Sequence, residues 1–156
     1  KNADTLATVS ADTVVKLWNA DSAKQQATLA AHQRWVHCAA LAPNLKMCAS
    51  GYGFYNSTRR QSTGEITLLS LPNGGTIGKL TGHQNWVYSV AFSPDGRFLA
   101  SGGWAGAVKL WNVTQKTELA TLQGHDDIVL AVTFSPDGKT LASTGYDQTV
   151  RIWEVR

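Results

Sequence analysis

The chain has 156 residues, 43% hydrophobic and 16% charged; that is the balance of a globular domain able to bury a core, and it excludes a disordered chain. A net charge of +3, with no run of like charges and no basic amphipathic helix, gives no reason to expect nucleic acid or a membrane surface as partner. No apolar run approaches the roughly 18 residues of a membrane span and no signal-peptide pattern opens the chain, so a cytoplasmic location is expected; the first residue is Lys1, which leaves open whether a targeting segment precedes it. Six Trp, 14 Gly and a single Met suggest all-β packing with many turns.

In chain order, the predicted elements are copies of one unit. The first stretch, "DTLATVSADTVVKLWNADSAKQQATLA", starts midway through the unit and occupies residues 1–30. The second runs over 31–81 and opens with "AHQRWVHCAALAPNLKMCASG". The third, 82–123, and the fourth, 124–156, carry the clearest copies: "WVYSVAF" and "IVLAVTF" are β-branched and aromatic runs that end at Ser-Pro-Asp-Gly, a tight-turn signature, and "RFLASGG" and "KTLASTG" return. A third run ("AVKLWNV", "TVRIWEV") and a short edge ("ELATLQ") complete four strands. His83 to His125, Ser101 to Ser143 and Trp111 to Trp153 are each 42 residues, and four short strands at that period point to propeller blades rather than a helical solenoid. Strand counts of three, four, four and three leave both end units incomplete. Centring the hairpins on their turns pairs Phe134 with Leu141 and Leu41 with Cys48, and sets Cys38 opposite Gly51. Cys38 and Cys48 then face opposite sides, which predicts two buried free thiols and no disulfide.

The Gly82-His83 and Gly124-His125 pairs, the Ser-Pro-Asp-Gly turns, the "LAS" strands and the Trp ending the third strand together resemble the WD-repeat β-propeller family over essentially the whole chain. The resemblance implies an all-β, partial or open propeller of about four WD-type repeats forming one domain, 1–156. It also implies a buried hydrogen-bond network of His, Ser or Thr, Asp and Trp in each unit. The last unit has the full set, His125, Ser143, Asp147 and Trp153. The third has His83, Ser101 and Trp111 but Ala105 in place of the Asp. The first keeps Thr8, Asp12 and Trp18; the second keeps His32 and Ser50, with Leu69 at the Trp position.

A Ser, His and Asp together also suggest a hydrolase triad, yet a catalytic set occurs once whereas these residues recur at a fixed interval. No enzymatic activity is expected. His32 and His37 fall on opposite faces of a strand-like segment with no acidic or cysteine cluster nearby, so neither a metal nor a cofactor is predicted. Asn56-Ser57-Thr58 and Asn112-Val113-Thr114 match the glycosylation pattern at the frequency chance allows.

The resemblance further implies that the loops before the first strand and between the second and third strands open onto one face where partners dock. Mapped onto this chain, that face holds Trp35, His37, Trp86, Tyr88, Ile128 and Leu130 from the first strands, and Ala11, Trp104 and Tyr146 from the second loops. His32 to His83 is 51 residues, nine more than the repeat, and all nine lie between Ser50 and Leu69. They form an expanded loop expected to bring Tyr52, Phe54, Tyr55, Arg59 and Arg60 to the same face. The expected function is a non-enzymatic scaffold that binds a protein or peptide partner. The alternatives are a sensor or regulatory module of a larger enzyme such as a kinase or protease, a half-propeller that closes its ring by self-assembly as a homo-oligomer, and a lectin-like ligand binder.

Overall fold

A computed structural model of the chain describes residues 4–10, 12–30, 35–57 and 61–155. These residues form fourteen strands in four antiparallel sheets and contain no helix. The first sheet is β1 (Thr5–Val9), β2 (Val14–Asn19) and β3 (Gln25–Ala30). The second is β4 (Val36–Leu41), β5 (Met47–Asn56), β6 (Gln61–Ser70) and β7 (Thr76–His83). The third is β8 (Val87–Phe92), β9 (Phe98–Gly103), β10 (Val108–Asn112) and β11 (Thr117–Leu122), and the fourth is β12 (Val129–Phe134), β13 (Thr140–Gly145) and β14 (Val150–Glu154). Within each sheet the strands lie side by side in chain order. This is the all-β, partial-propeller architecture that the repeat implied.

Turn chemistry sets the hairpins. In the third sheet Ser93 Oγ donates to Asp95 Oδ1 at 2.6 Å and accepts the Phe98 N–H at 2.9 Å, while Asp95 Oδ1 accepts the Arg97 N–H at 3.0 Å. Ser135, Asp137, Lys139 and Thr140 repeat those bonds. Both turns put glycine at positive φ, Gly96 at 71° and Gly138 at 72°. The second sheet has Leu45 there, at φ 54°, a left-handed conformation that costs a side-chain-bearing residue about 1 kcal/mol.

The registers pair Phe134 with Leu141, Leu41 with Cys48 and Cys38 with Gly51. Cys48 accordingly packs between the first and second sheets, and Cys38 between the second and third. Both thiols are free, and burial pushes each up to about 12.

The core lies between sheets, not within one. Val15, Leu17 and Leu29 meet Cys48 and Leu69; Ile66, Leu68 and Leu80 meet Val87, Val90 and Leu99; Ala100 and Val108 meet Val129 and Val132. Val15, Ile66 and Val108, each three residues before the Trp position, are fully buried. Val150, at the same place in the fourth sheet, is 67% exposed and Ile152 is 65% exposed, because among the described residues no sheet covers that face.

The nine-residue insertion corrects the expectation of a loop. The β5–β6 ladder continues beyond its counterpart in the third sheet, through Tyr52–Glu65, Gly53–Gly64, Phe54–Thr63 and Tyr55–Ser62 to Asn56–Gln61. The described part of the insertion, up to Asn56 and from Gln61, is therefore a β-ribbon. Two glycines let the segment leading into β8 press flat against it: a Cβ on Gly53 would lie 1.9 Å from Trp86 Cδ1, and one on Gly64 would lie 2.0 Å from the Asn85 carbonyl oxygen. Close backbone approach of this kind is a standard reason for glycine within a strand.

Candidate functional site

The fourth sheet carries an uninterrupted chain of polar contacts. Trp153 Nε1 donates to Ser143 Oγ at 2.9 Å, Ser143 Oγ lies 2.8 Å from His125 Nε2, and His125 Nδ1 lies 2.7 Å from Asp147 Oδ2. Thr149 donates to Asp147 Oδ1 from its N–H and its hydroxyl, and the Asp126 N–H reaches Oδ2. Burial opposes ionisation of Asp147, but these donors, with the His125 ring, hold its carboxyl well below the usual range. Ser143 is buried and its oxygen is engaged by both Trp153 and His125. That geometry ties two strands and two loops together and leaves no free nucleophile facing solvent.

The other sheets hold parts of the same arrangement. In the third, Trp111 Nε1 and His83 Nε2 both lie 2.7 Å from Ser101 Oγ, with Ala105 where the acid stands in the fourth. Trp18 Nε1 donates to Thr8 Oγ1 at 2.8 Å in the first, and Asp12 is ion-paired to Lys16 at 2.8 Å. In the second, Ser50 Oγ donates to the Thr67 carbonyl at 3.4 Å, and Leu69, fully buried, fills the Trp position. His32 lies outside the described residues.

One consequence is a pH dependence. Burial, then the Lys109 charge, lowers the pKa of His83 from the ordinary 6.5 to about 4, with Glu118 opposing. A depressed pKa means that the unfolded chain takes up the proton first as pH falls. The stability contribution is thus intact above pH 6.5 and declines down to about pH 4, by about 3 kcal/mol in all at 1.4 kcal/mol per unit. Burial lowers His37 as well and adds in the same direction. Ordinary carboxylates titrate below most of this window, so urea unfolding between pH 7.5 and 4.5, with the His83 ring followed by NMR, isolates the effect. A ring that protonates near pH 6.5 in the folded chain contradicts it.

Several predicted contact residues do converge. His37 stacks on Trp86 with ring centroids 5.4 Å apart and meets Tyr88 at 5.3 Å; Trp104 meets Trp86 edge-on at 5.9 Å and Tyr88 at 6.5 Å. The backbone explains the convergence. The Trp104 N–H donates to the Trp86 carbonyl at 2.9 Å, and the Tyr146 N–H does the same to Ile128, so the two loops of the third unit, and those of the fourth, are clasped at one end of the sheets. Burial raises the Tyr88 phenol, and the neighbouring Tyr146 phenol adds to the shift. Trp35, Tyr55, Trp104, Leu130 and Tyr146 are exposed. A cleft of about 360 Å³ is lined by Trp35, His37, Gly53, Phe54, Tyr55 and Trp86, with Thr13 at its side.

Two of the expected contact residues are withdrawn from the surface. Tyr52 is 8% exposed, on a ribbon position turned inward, where its hydroxyl bonds to Glu65, itself paired with Lys79 at 2.7 Å. Ile128 is also 8% exposed, beside the clasp its carbonyl makes with Tyr146. Arg59, Arg60 and Ala11 lie outside the described residues. Sequence reasoning missed Lys109, a buried cation that donates to Glu118 at 2.8 Å and to Thr121 at 2.7 Å, 6.0 Å from the Trp111 ring centroid. A lysine between two apolar residues of a strand, with a glutamate and threonine on the next strand, was the available signal.

No helix of the described residues is long and apolar enough to cross a membrane, and among those residues no group of three or more His, Cys, Asp or Glu could hold a metal ion.

Comparison with known proteins places this architecture. The family model described as "WD domain, G-beta repeat" matches residues 23–58, 74–112 and 116–154. Each match begins near an outer strand (β3, β7 or β11) and runs into the following sheet. The chain is 39% identical over 104 residues to human WD repeat and SOCS box-containing protein 1, covering 66% of this chain and 23% of that protein. Nuclear distribution protein PAC1-1 of Uncinocarpus reesii is 27% identical over 124 residues, 69% of this chain and 27% of that one. Human apoptotic protease-activating factor 1 is 31% identical over 121 residues, 72% of this chain and 9% of that one. The chain thus spans about a quarter or less of the length of these relatives. With three family matches laid over four repeating sheets and their Trp, Ser and His contacts, the chain belongs to the WD-repeat family.

Proposed function

We propose that this chain is a non-enzymatic interaction module that binds a protein or peptide partner through the aromatic end of its second and third sheets. WD repeats generally serve as protein-interaction scaffolds. The observation that carries the finer reading is the mutual contact of His37, Trp86, Tyr88 and Trp104, flanked by exposed Trp35, Tyr55 and Tyr146. Amphipathic rings held rigidly by their neighbours lose little entropy on docking and offer both apolar area and polar tips. A reducing compartment such as the cytoplasm fits the two free buried thiols. The test is affinity capture with the unaltered chain and with Trp35→Ala, Tyr55→Ala and Trp104→Ala. At least one of these exposed truncations is expected to cost more than about 2 kcal/mol of binding, a roughly 30-fold loss. Unchanged binding in all three would remove the proposal.

A second reading is favoured by the bare face of the fourth sheet. Val150 stands where Val15, Ile66 and Val108 are covered by the next sheet, and Ile152 where Leu17 and Leu68 are covered; this fits a module that continues into further sheets, within a longer regulatory protein or in a ring of several copies. Solution mass distinguishes the two forms.

A further inference from the structure

The third sheet lacks the turn acid that the first and fourth carry, Asp12 and Asp147. In the fourth, the side chains of Asp147 and Thr149 fill the space beside His125, and in the third both positions are alanine, Ala105 and Ala107. What remains is a cavity of about 120 Å³ lined by His83, Gln84, Ala105, Ala107, Lys109 and Thr121, with Gly82 and Gln123 at its edges. Its floor is buried, His83 being 6% exposed, whereas Gln84, Ala105 and Gln123 are exposed at its mouth. At roughly 30 Å³ per water it has room for several waters or one small organic group.

The hydrogen-bond inventory gives the cavity its chemistry. Ser101 Oγ receives the Trp111 Nε1 proton and has one proton of its own, and its other neighbour is His83 Nε2. With that proton donated to Nε2, the neutral ring carries its hydrogen on Nδ1. The His125 Nδ1 in the fourth sheet meets a carboxylate at 2.7 Å. His83 Nδ1 has Ala105 at that position, and its nearest cation is redirected. Lys16 and Arg151, which occupy the place of Lys109, lie 2.8 and 4.0 Å from the turn carboxylates of Asp12 and Asp147, while Lys109 crosses to Glu118 and Thr121 on β11. The cavity so combines an N–H donor, a nearby ammonium already neutralised by Glu118, and the volume of the missing side chains.

We infer that this cavity is a carboxylate-binding site, in which a carboxylate from outside the chain completes the network of the third sheet by accepting from His83 Nδ1. The carboxylate comes from a free small acid or from an aspartate or glutamate of a partner. The site stands independently of the aromatic-face proposal. Because Lys109 is already paired, binding rests on hydrogen bonds more than on net charge, so chloride is a poor substitute.

The test is a titration of the isotope-labelled full chain with acetate against chloride at equal ionic strength, read by the ring ¹⁵N resonances. The His83 Nδ1 signal is expected to move saturably and the His125 signal to stay, since Asp147 already occupies that site. At ten times the dissociation constant acetate favours the folded state roughly elevenfold, seen as a raised urea midpoint. The Ala105→Asp variant, with its own carboxylate, is expected to lose the response. N-acetyl-aspartate amide and N-acetyl-glutamate amide separate the sources: a response to either assigns the site to a partner's side chain, and a response to acetate alone assigns it to a free acid. No saturable His83 shift, equal shifts at His83 and His125, or an undiminished response in Ala105→Asp overturns the inference. Should that variant not fold, the contrast between the two histidines in the unaltered chain decides.

Discussion

Trp111→Ala is expected to lower the free energy of unfolding by about 4 kcal/mol, a large part of the 5–15 kcal/mol that stabilises a typical domain. Trp111 is buried in the cluster between the second and third sheets, against Leu80 and Leu99 among others. Its removal takes away apolar contact and leaves Ser101 without the indole donor, so the loss is both a cavity and an unmet buried oxygen. The repeat supplies the control. Trp153 makes the same bond to Ser143 but is only partly buried, since no fourth strand runs beside β14 among the described residues. Trp153→Ala is therefore expected to cost about half as much. Equal shifts of the urea midpoint for the two variants would show that the shared hydrogen bond, and not burial between sheets, sets the cost.

Gly53→Ala is the second large effect, because a single methyl group suffices. Its Cβ would lie 1.9 Å from Trp86 Cδ1 and 2.5 Å from the Trp86 Cα, a backbone atom that cannot swing aside as a rotamer can. Relief requires moving the segment before β8, and overpacking of this kind costs about 3 kcal/mol. Trp86 is also the ring that meets His37, Tyr88 and Trp104 at once. The substitution is thus expected to weaken the near-ultraviolet circular dichroism of the aromatic cluster and to reduce partner capture together with stability. Tyr55→Ala, on the same strand but exposed, is the comparison and is expected to change stability by no more than about 0.5 kcal/mol. A Gly53→Ala chain with native dichroism and an unshifted urea midpoint would mean that the ribbon is not pressed against Trp86.

Much of the fold was legible because the turns and the Trp positions recur at one interval, so any one hairpin register transfers to the others; the pairing of Cys38 with Gly51 follows from the turn that joins Phe134 to Leu141. The ribbon was not legible. Between Gly51 and Glu65 the strand signal is broken by glycines and polar residues, and the feature that orders them is a segment distant in sequence, with Trp86 against Gly53 and Asn85 against Gly64. Read as a loop, the stretch is expected to turn Tyr52, Phe54 and Tyr55 to one face, whereas on a strand Tyr52 and Phe54 share a side and Tyr55 takes the other. In the structure Tyr52 turns in to Glu65 and only Tyr55 is clearly exposed. Ile128 was placed on the surface by analogy with Trp86, but a smaller side chain at the same backbone position stays beneath the clasp. The Lys109 pair escaped because its partners, Glu118 and Thr121, belong to the outer strand, whose register is interrupted between Leu110 and Trp111.

That the apolar clusters lie between sheets, three of them for four sheets, makes cooperativity a nearest-neighbour property. No sheet has an interior of its own, so each is held by coupling to the one before and the one after, as in a one-dimensional array. Among the described residues the second and third sheets have two such couplings and the first and fourth have one. Within these four sheets the aromatic end shared by the second and third is thus built on the two that are coupled on both sides.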